Sequence, residues 1–445
     1  MLFTDNVVVF MIIVFFGLYF LLKDKMRVKF IAVSSLIFYA SWYPPAILLI
    51  FFHTFLGIYG GLWIEKSQNK KALFIVIGVA LAPLIFFKYF NFFIDYFEIT
   101  GLILPLGLSF YTFSMIGYYI DIHNKKVKAS SSFVDLLLFI AFWPHLAAGP
   151  ILRAKNIFNN IDNELKLNSD TLALALVLIS LGLVKKLLIA DNIGGYVNWN
   201  LSYGVLSMNA FEALATLLGF GIQIYTDFSG YSDMAIGFAL LIGFRLQANF
   251  NYPYQATSVR EFWHRWHISL STWFRDYVYI PLGGSNNGKL RTYFNIAIVF
   301  VLSGIWHGVG WGFVVWGMLH GIFLIIEKIL GELYLKIPKI IRWFITFSLV
   351  MVAWVFFRLE YNDALMLLTR LCEFTINPNS MYFVAPICII ILYLPIEHYF
   401  KFYSVDKNGY PILNLRRMNI VVLAILVFLA LNFSGEILPF IYFEF

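Results

Sequence analysis

The sequence carries little charge for its length. Only 13% of its 445 residues are Asp, Glu, Lys or Arg, whereas 61% are hydrophobic, and the mean hydropathy is +0.79. A soluble protein of this length needs a charged surface around its core, and this composition cannot supply one. We therefore predict an integral membrane protein in which lipid replaces most of the surrounding water.

Cysteine is also scarce. The two cysteines, Cys372 and Cys388, lie in or beside an apolar stretch and have no metal-ligand spacing. This pattern predicts neither a disulfide framework nor a metal site. The first apolar run, residues 6–22, has no basic region before it and no small-residue cleavage site after it. We therefore expect no cleavable signal peptide.

Apolar runs recur along the whole sequence. A helix that crosses a bilayer needs about 20 mostly apolar residues. Because several runs are short or broken by glycine, we predict about 11 to 13 membrane helices, some of them re-entrant. Together they would form one all-α, polytopic transmembrane helical bundle, a single domain over residues 1–445. The runs cover residues 6–22, 30–41, 45–64, 73–94, 103–120, 133–149, 171–190, 210–226, 229–245, 292–306, 311–327, 339–357, 381–400 and 418–438.

The net charge of +7 comes from basic residues in short loops between these runs. Loops of this kind orient a membrane protein, since they stay in the cytoplasm, so the charge does not indicate a nucleic-acid partner. Basic loops follow the first, third and fifth runs, which places the N-terminus outside the cytoplasm. The last run starts inside and is about 30 Å long, so it carries the C-terminus outside. The basic loops contain Lys23, Lys25, Arg27 and Lys29; Lys66, Lys70 and Lys71; Lys125, Lys126 and Lys128; Lys336, Lys339 and Arg342; and Lys401, Lys407, Arg416 and Arg417.

A polar stretch at residues 249–291 interrupts the apolar pattern. Ionisable and hydroxyl residues recur in it at helical spacing, which predicts a helix with one basic face. These residues are Arg260, His264, His267, Ser271 and Arg275. One interpretation is an interfacial helix whose arginines meet lipid phosphates, although neutral histidines add little to that binding. A basic, aromatic face would also suit the phosphates and adenine of a coenzyme-A-type donor, with contacts from Arg260, His264, Trp273 and Arg275.

A histidine in apolar sequence is a second candidate. His307 ends an apolar run and precedes Gly308, Gly310 and Gly312, which would loosen the helix and admit a ligand. An ionisable residue at membrane depth is costly and therefore indicates a function. The alternative is a hydrogen-bonded core histidine, and this is our interpretation of His320 in the next run.

Two carboxylates form the third candidate. Asp227 and Asp233 fall between the runs at 210–226 and 229–245. They are either structural groups that cap helix ends or part of the lining of a polar cavity. We favour the structural interpretation.

Five blocks of the sequence resemble the membrane-bound O-acyltransferase family. The resemblance is strongest to its bacterial polysaccharide branch, the membrane subunits that O-acetylate alginate and peptidoglycan and the one that supplies D-alanine to teichoic acids. It spans most of the chain. The blocks are LPLGLSFYTF (104–113), FWPHLAAGPILR (142–153), YTDFSGYSDMAIG (225–237), REFWHRWHISLSTWFRDYVYIPLGG (260–284) and SGIWHG (303–308).

The resemblance implies a fold and a set of site residues. In the family the histidine of the WHG motif is catalytic, which here is His307, and His267 matches a second polar residue that precedes it. The implied fold is a helical membrane body with a tunnel from a cytoplasmic donor pocket to the outer face. The ending PFIYFEF resembles a terminal motif whose tyrosine, here Tyr442, is proposed to carry the acyl group. An aromatic belt at the outer interface is the alternative for this tyrosine.

The implied reaction moves acetyl from cytoplasmic acetyl-CoA toward a polysaccharide outside the membrane. We expect His307 to be the general base and His267 to position or polarise the thioester carbonyl. The relay would be Tyr442 or a serine of an extracytoplasmic SGNH-type partner. We expect membrane lipid around the chain, no tightly bound cofactor, no metal and no nucleic acid. The abundance of Ile, Lys, Asn and Phe favours peptidoglycan over alginate, and a transporter or flippase is the alternative from another class.

Overall fold

Helices dominate the structure of this protein. The computed structural model describes residues 3–94, 104–162, 167–373, 393, 395–414 and 417–443. Within these ranges the strands are limited to Tyr403–Val405 (β1) and Pro411–Leu413 (β2), which pair antiparallel. The predicted all-α class is thereby confirmed. Cys372 is exposed and forms no disulfide, whereas Cys388 lies outside the described residues.

The helices are numbered here in chain order. They are α1 (Asn6–Tyr19), α2 (Asp24–Trp42), α3 (Ile47–Ser67), α4 (Lys70–Ile94), α5 (Leu108–His123), α6 (Phe133–Ala141), α7 (Ala154–Asp162), α8 (Ser169–Leu183), α9 (Asp191–Ser202), α10 (Ala210–Ile242), α11 (Val259–Arg265), α12 (Ile268–Phe274), α13 (Gly288–His307), α14 (Trp311–Leu330), α15 (Glu332–Leu335), α16 (Lys339–Arg358), α17 (Tyr361–Arg370) and α18 (Arg417–Phe433). A π-helical turn, Val184–Ala190, joins α8 to α9, and another, Arg275–Tyr279, follows α12.

Six helical segments of the described residues are long and apolar enough to cross a membrane. Asn6–Tyr19 and Met418–Phe433 are apolar but shorter. The prediction of a multi-pass membrane protein is confirmed, and the total of about 11 to 13 membrane helices stays a prediction. The six segments are Pro44–Ser67, Lys70–Tyr89, Ser169–Ser202, Gly288–His307, Trp311–Leu330 and Lys339–Arg358.

α10 differs from its prediction. The sequence predicted separate helices at 210–226 and 229–245, and this is wrong, because one helix runs without interruption over Ala210–Ile242. Asp227 and Asp233 therefore lie inside a helix and cap no helix end. Both carboxylates are buried, and each forms an ion pair with a lysine. Neither therefore needs a helix end or water as its partner.

The chain forms two compact units. The first comprises residues 1–179 and 234–247, and in it α3 packs against α4, α5 and α6. Glycines make this packing close, since a Cβ at Gly57 would lie 2.8 Å from the Met115 side chain. The Trp143 ring stacks on Phe38 with the centroids 4.7 Å apart in the core of this unit.

The second unit comprises residues 180–233 and 248–445 and contains every residue discussed below. Its main helix pair is α13 and α14, with α16 packed against α14. A Cβ at Gly304 would lie 2.3 Å from the carbonyl oxygen of Phe313, and one at Gly317 would lie 2.3 Å from that of Phe300. The backbones of α13 and α14 are therefore in contact, and this contact holds the end of α13 in place. The single membrane domain stays a prediction.

Candidate functional site

The basic stretch after residue 258 forms two short helices. α11 ends at Arg265, Trp266 is extended, and His267 is left-handed with φ 43° before α12 begins. The prediction of one helix with a single basic face is wrong. Arg260 and Arg275 are exposed, whereas His267 is fully buried, so the residues of the predicted face separate.

The break has a local cause in a segment that runs beside it. The Asn251 N–H donates to the Arg265 carbonyl at 2.9 Å, and the Ile268 N–H donates to the Asn249 carbonyl at 2.9 Å. The chain is therefore held on both sides of His267. A left-handed conformation is costly for a non-glycine residue, and these hydrogen bonds offset that cost.

Hydrogen bonds also set the tautomer of His267. Its Nδ1 lies 3.2 Å from Asn249 Oδ1, which also accepts from the Ser269 N–H at 3.2 Å and the Ser269 hydroxyl at 2.9 Å. A backbone N–H can only donate, so Oδ1 is an acceptor and Nδ1 of His267 carries the proton. Nε2 is then the acceptor nitrogen. Burial lowers the pKa of His267 to about 3, so the ring is neutral.

His307 is the last residue of α13. Its ring centroid lies 5.0 Å from that of Trp316 and 5.1 Å from that of Phe357. The following glycines end the helix instead of loosening it, and a Cβ at Gly308 would lie 2.0 Å from the Phe313 ring. His307 therefore sits at a helix end that closely packed aromatic rings surround.

The C-terminal segment leaves its helix earlier than predicted. The sequence predicted a helix over 418–438, but α18 ends at Phe433. The Asn192 side-chain amide donates to the Phe433 carbonyl at 3.2 Å, and the backbone of Gly435 packs against the Asn192 side chain. After Pro439 a short turn, Ile441–Phe443, places the ring of Tyr442 beside that of His307. Burial raises the pKa of Tyr442, so its phenol is protonated.

The structure brings the three predicted catalytic residues together. The rings of His307 and Tyr442 are 5.8 Å apart. The Phe228 ring lies 4.4 Å from Tyr442 and 4.8 Å from His267. The Trp306 ring lies 4.7 Å from His307 and 6.2 Å from His267. We call this group the histidine–tyrosine cluster: Phe228, His267, Trp306, His307, Phe357, Phe440 and Tyr442.

A cavity of about 400 Å³ contains most of the predicted donor contacts. Arg260, His264 and Arg275 line it together with Ser271, and its other walls are largely apolar. Ser303 of α13 also lines it, one helical turn before the catalytic candidate at the end of that helix. The cavity therefore joins a basic rim to an apolar interior. We call it the basic-rimmed cavity.

Trp273 is the predicted donor contact that does not line this cavity. It is buried, and its ring packs against Phe274 and Tyr277. Burial and the guanidinium groups of Arg260 and Arg275 lower the pKa of His264, so it adds little positive charge. The rim therefore depends on its two arginines, of which Arg275 forms an ion pair with the adjacent carboxylate of residue 276 at 2.8 Å.

Sequence reasoning missed two buried lysines. Lys185 and Lys186 lie in the π-helical turn between α8 and α9, inside the run predicted as apolar over 171–190. Lys185 pairs with Asp233 at 2.7 Å, and this carboxylate also accepts from the Tyr403 hydroxyl at 3.2 Å. Two lysines within an apolar run need buried partners, and this was the signal available in the sequence.

Lys186 makes a second set of ionic contacts. Its Nζ lies 2.7 Å from Asp191 and 3.1 Å from Asp227, and it donates to the Leu438 carbonyl at 2.9 Å. Asp227 also accepts the Ile441 N–H at 2.8 Å. Asp227 and Asp233 are therefore structural ion-pair partners and not helix caps, which corrects the detail of the predicted role.

His320 occupies the core position expected from the sequence. It is fully buried on α14, and its Nδ1 lies 3.2 Å from Trp263 Nε1, which donates to it. In the part of the chain that the structure describes, no three His, Cys, Asp or Glu side chains are grouped as metal ligands.

Known proteins resemble this chain over most of its length. The model of the membrane-bound O-acyltransferase family matches residues 123–360. The probable alginate O-acetylase AlgI of Pseudomonas aeruginosa is 37% identical over 379 residues, covering 81% of this chain and 72% of that protein. The peptidoglycan O-acetyltransferase of Helicobacter pylori is 36% identical over 371 residues, covering 74% and 70%. The teichoic acid D-alanyltransferase of Streptococcus thermophilus is 31% identical over 292 residues, covering 58% and 69%.

The family match includes both helices of the central pair, α13 and α14, and the two short helices before them. It therefore contains His267 and His307 and favours an enzyme over the transporter alternative. Tyr442 lies beyond the matched residues. The chain belongs to the membrane-bound O-acyltransferase family and is a multi-pass membrane O-acyltransferase.

Proposed function

We propose that this enzyme moves acetyl groups from cytoplasmic acetyl-CoA toward an extracytoplasmic polysaccharide, peptidoglycan. The observation that carries the proposal is the contact between the rings of His307 and Tyr442, 5.8 Å apart, near a cavity with a basic rim. Acyl transfer from a thioester to a hydroxyl requires a base close to that hydroxyl, and these two rings are neighbours. The relatives that O-acetylate alginate or peptidoglycan support the same chemistry.

The basic-rimmed cavity is the proposed donor site. Exposed Arg260 and Arg275 suit the phosphates of acetyl-CoA, and the apolar interior suits its pantetheine chain. The volume of about 400 Å³ is enough for part of such a ligand. Ser303 lies one turn before His307, so a donor that enters here would present its thioester near the base.

Transfer then proceeds in three steps, from the thioester to Tyr442, from Tyr442 to a partner serine and from that serine to the polysaccharide. His307 removes the proton from the Tyr442 hydroxyl, and the phenolate oxygen attacks the thioester carbonyl. The carbon–sulfur bond breaks, the thiolate takes the proton from His307, and O-acetyl-tyrosine forms. The hydroxyl of a serine of an extracytoplasmic SGNH-type partner next attacks this ester, the tyrosine ester bond breaks, and Tyr442 regains its proton from the serine. A polysaccharide hydroxyl then attacks the serine ester in the same way, and the serine regains a proton. With both chain ends outside the cytoplasm, as the basic loops predict, Tyr442 faces the side of that partner.

Of the two roles expected for His267, positioning the substrate fits its tautomer better than polarising the thioester carbonyl. Its Nε2 is an acceptor and its ring is neutral, so it has no proton to donate to a thioester carbonyl. We propose that it orients the substrate by accepting a hydrogen bond from a substrate N–H or O–H group. Asn249 holds the ring in this tautomer.

The experiment measures the polysaccharide directly. The chain and its partner are expressed in a host without wall O-acetylation, and acetate released by mild base is measured from isolated peptidoglycan and from alginate in an alginate-producing host. Ester acetate on peptidoglycan in cells with the wild-type chain, and none with an empty vector, supports the proposal. Acetate on alginate alone would replace peptidoglycan with the exopolysaccharide, which the 37% identity to alginate O-acetylases makes the second candidate. Ester acetate on neither polymer would overturn both.

A further inference from the structure

We propose that Lys186 and Asp227 are positioning residues that hold the C-terminal segment so that Tyr442 lies beside His307. The proposal rests on the proposed function, in which Tyr442 receives the acetyl group. It assigns a task to a buried ionic group that the reaction itself does not use. We call this group the tail clamp: Lys186, Asp191 and Asp227.

The tail clamp contacts the segment at two points on its main chain. Lys186 Nζ donates to the Leu438 carbonyl at 2.9 Å, and Asp227 Oδ2 accepts the Ile441 N–H at 2.8 Å. These two points bracket residues 439 and 440, and Tyr442 is the next residue after the second point. The segment is therefore held immediately before the residue that contacts His307.

The chemistry of the clamp fits an irregular segment in apolar surroundings. Such a segment has main-chain groups that no helix satisfies, and each needs a partner where water is excluded. Pro439 has no N–H, and the clamp supplies a donor to the carbonyl before it and an acceptor to an N–H after it. Because the clamp binds main-chain atoms, a slip of one residue would move the phenol by about 3.3–3.6 Å.

A second ion pair in the same helices provides a matched comparison. Lys185 and Asp233 are buried, 2.7 Å apart and on the same two segments as Lys186 and Asp227. Asp233 also accepts from the Tyr403 hydroxyl, and Lys185 lies over the Tyr225 ring, so these further contacts are not with the C-terminal segment. If the lysine–aspartate pairs only stabilise the fold, loss of either pair has the same consequence for acyl transfer. If the tail clamp positions Tyr442, only loss of the clamp releases the C-terminal segment and lowers acyl transfer.

The test uses three variants of the whole chain in cells with the partner. Asp227→Leu removes the acceptor for the Ile441 N–H and leaves Lys186 paired with Asp191, so no lone charge is buried. Asp227→Asn keeps an acceptor oxygen and is the conservative rescue. Lys185→Met/Asp233→Leu removes the comparison pair as a neutral replacement. Membrane content is measured for each variant, and wall acetate is expressed per inserted protein.

We expect Asp227→Leu to lose about a hundredfold in wall acetate, since misplacing a reacting group by about 1 Å can cost that much. Asp227→Asn and the Lys185/Asp233 double variant should keep most of it. Carboxypeptidase should remove C-terminal residues from detergent-solubilised Asp227→Leu faster than from wild type, and the double variant should match wild type. Equal loss in Asp227→Leu and the double variant, or unchanged protection of the tail, would overturn the clamp.

Tyr442→Phe is measured in parallel, so that failure of the clamp can be distinguished from failure of the proposed acyl relay. An active Tyr442→Phe protein would overturn the acyl relay itself. An inactive Tyr442→Phe protein together with a fully active Asp227→Leu protein would overturn the clamp and leave the relay standing.

Discussion

The histidine–tyrosine cluster and the basic-rimmed cavity hold their polar groups in opposite ways. In the cluster, His267 is fully buried and its tautomer is set by Asn249, while His307 is fixed by the end of a helix and by rings on several sides. In the cavity, Arg260 and Arg275 are exposed on long side chains. The difference matches two tasks, catalysis and donor binding. Forming a bond requires reacting atoms in fixed positions, whereas attracting a negatively charged donor requires mainly a positive electrostatic potential.

This comparison predicts unequal mutational effects. A change in the cluster removes a group that has one position and no substitute. A change at the rim removes one of its two arginine charges, which solvent already screens. The following variants test that ranking, from the largest expected effect to the smallest.

His307→Ala should have the largest effect. Removing a general base costs about 10²- to 10⁴-fold in rate, and the protein should still insert, because the residue is the last one of its helix. The measurement is the amount of ester acetate on isolated cell wall that depends on acetyl-CoA, divided by the amount of membrane-inserted protein. His320→Gln is the matched control, since it changes another buried histidine and keeps an acceptor for Trp263. Retention of more than about a tenth of the activity by His307→Ala would contradict the base assignment.

Tyr442→Phe comes next. It keeps the ring and its packing on Phe228 but removes the nucleophilic oxygen, so wall acetate should fall to background in stably inserted protein. Tyr203→Phe, at an exposed position on the same unit, should be normal. Mass spectrometry of the wild-type C-terminal peptide should detect an acetyl group on the tyrosine after brief exposure to acetyl-CoA. Normal activity in Tyr442→Phe would favour the aromatic-belt interpretation.

The buried imidazole of His267 should make stability depend on pH. Its folded pKa of about 3 lies below the unfolded value of about 6.5, so below that pH the unfolded chain binds a proton that the folded chain does not. Stability therefore falls as pH drops from about 6.5 toward 3, by up to about 1.4 kcal/mol per pH unit from this residue, and is constant above. Thermal unfolding in detergent should show a shallower decline between pH 7 and 5 for His267→Gln. Equal slopes for the two proteins would contradict the burial of a neutral ring.

Arg275→Ala should have the smallest effect. Loss of one exposed charge should raise KM for acetyl-CoA by about two- to fivefold and leave kcat nearly unchanged. A short acetyl thioester without the nucleotide should be used equally well by variant and wild type. Arg291→Ala, an exposed arginine that does not line the cavity, is the matched control. Equal losses with both donors would indicate damage to the fold.

Much of this site could be predicted from local sequence. The glycines after His307 and the apolar run before it marked a histidine at membrane depth. The helix class followed from hydropathy. These features depend on residues that are close together in the chain, so the local sequence is sufficient to predict them.

The features that could not be predicted depend on distant partners. Helical spacing placed His267 on a face with Arg260, but hydrogen bonds from residues 249 and 251 break that helix. Helical spacing cannot predict such hydrogen bonds, because their partners lie outside the stretch of residues in which the spacing is found. Lys186 was read as part of an apolar run, and its partner Asp227 lies 41 positions away in a run that was read separately.

The lysine pair also bears on how the protein is made. A lysine at the centre of a membrane helix costs about 2.5–3.5 kcal/mol when the translocon inserts it. On Ser169–Ser202, Lys186 finds Asp191 within its own segment, but Lys185 finds Asp233 only on α10. Lys185 therefore has no carboxylate partner until the chain has been synthesised as far as Asp233, although Ser169–Ser202 is apolar enough overall to cross a membrane. Part of the insertion cost is then offset only after α10 has been made.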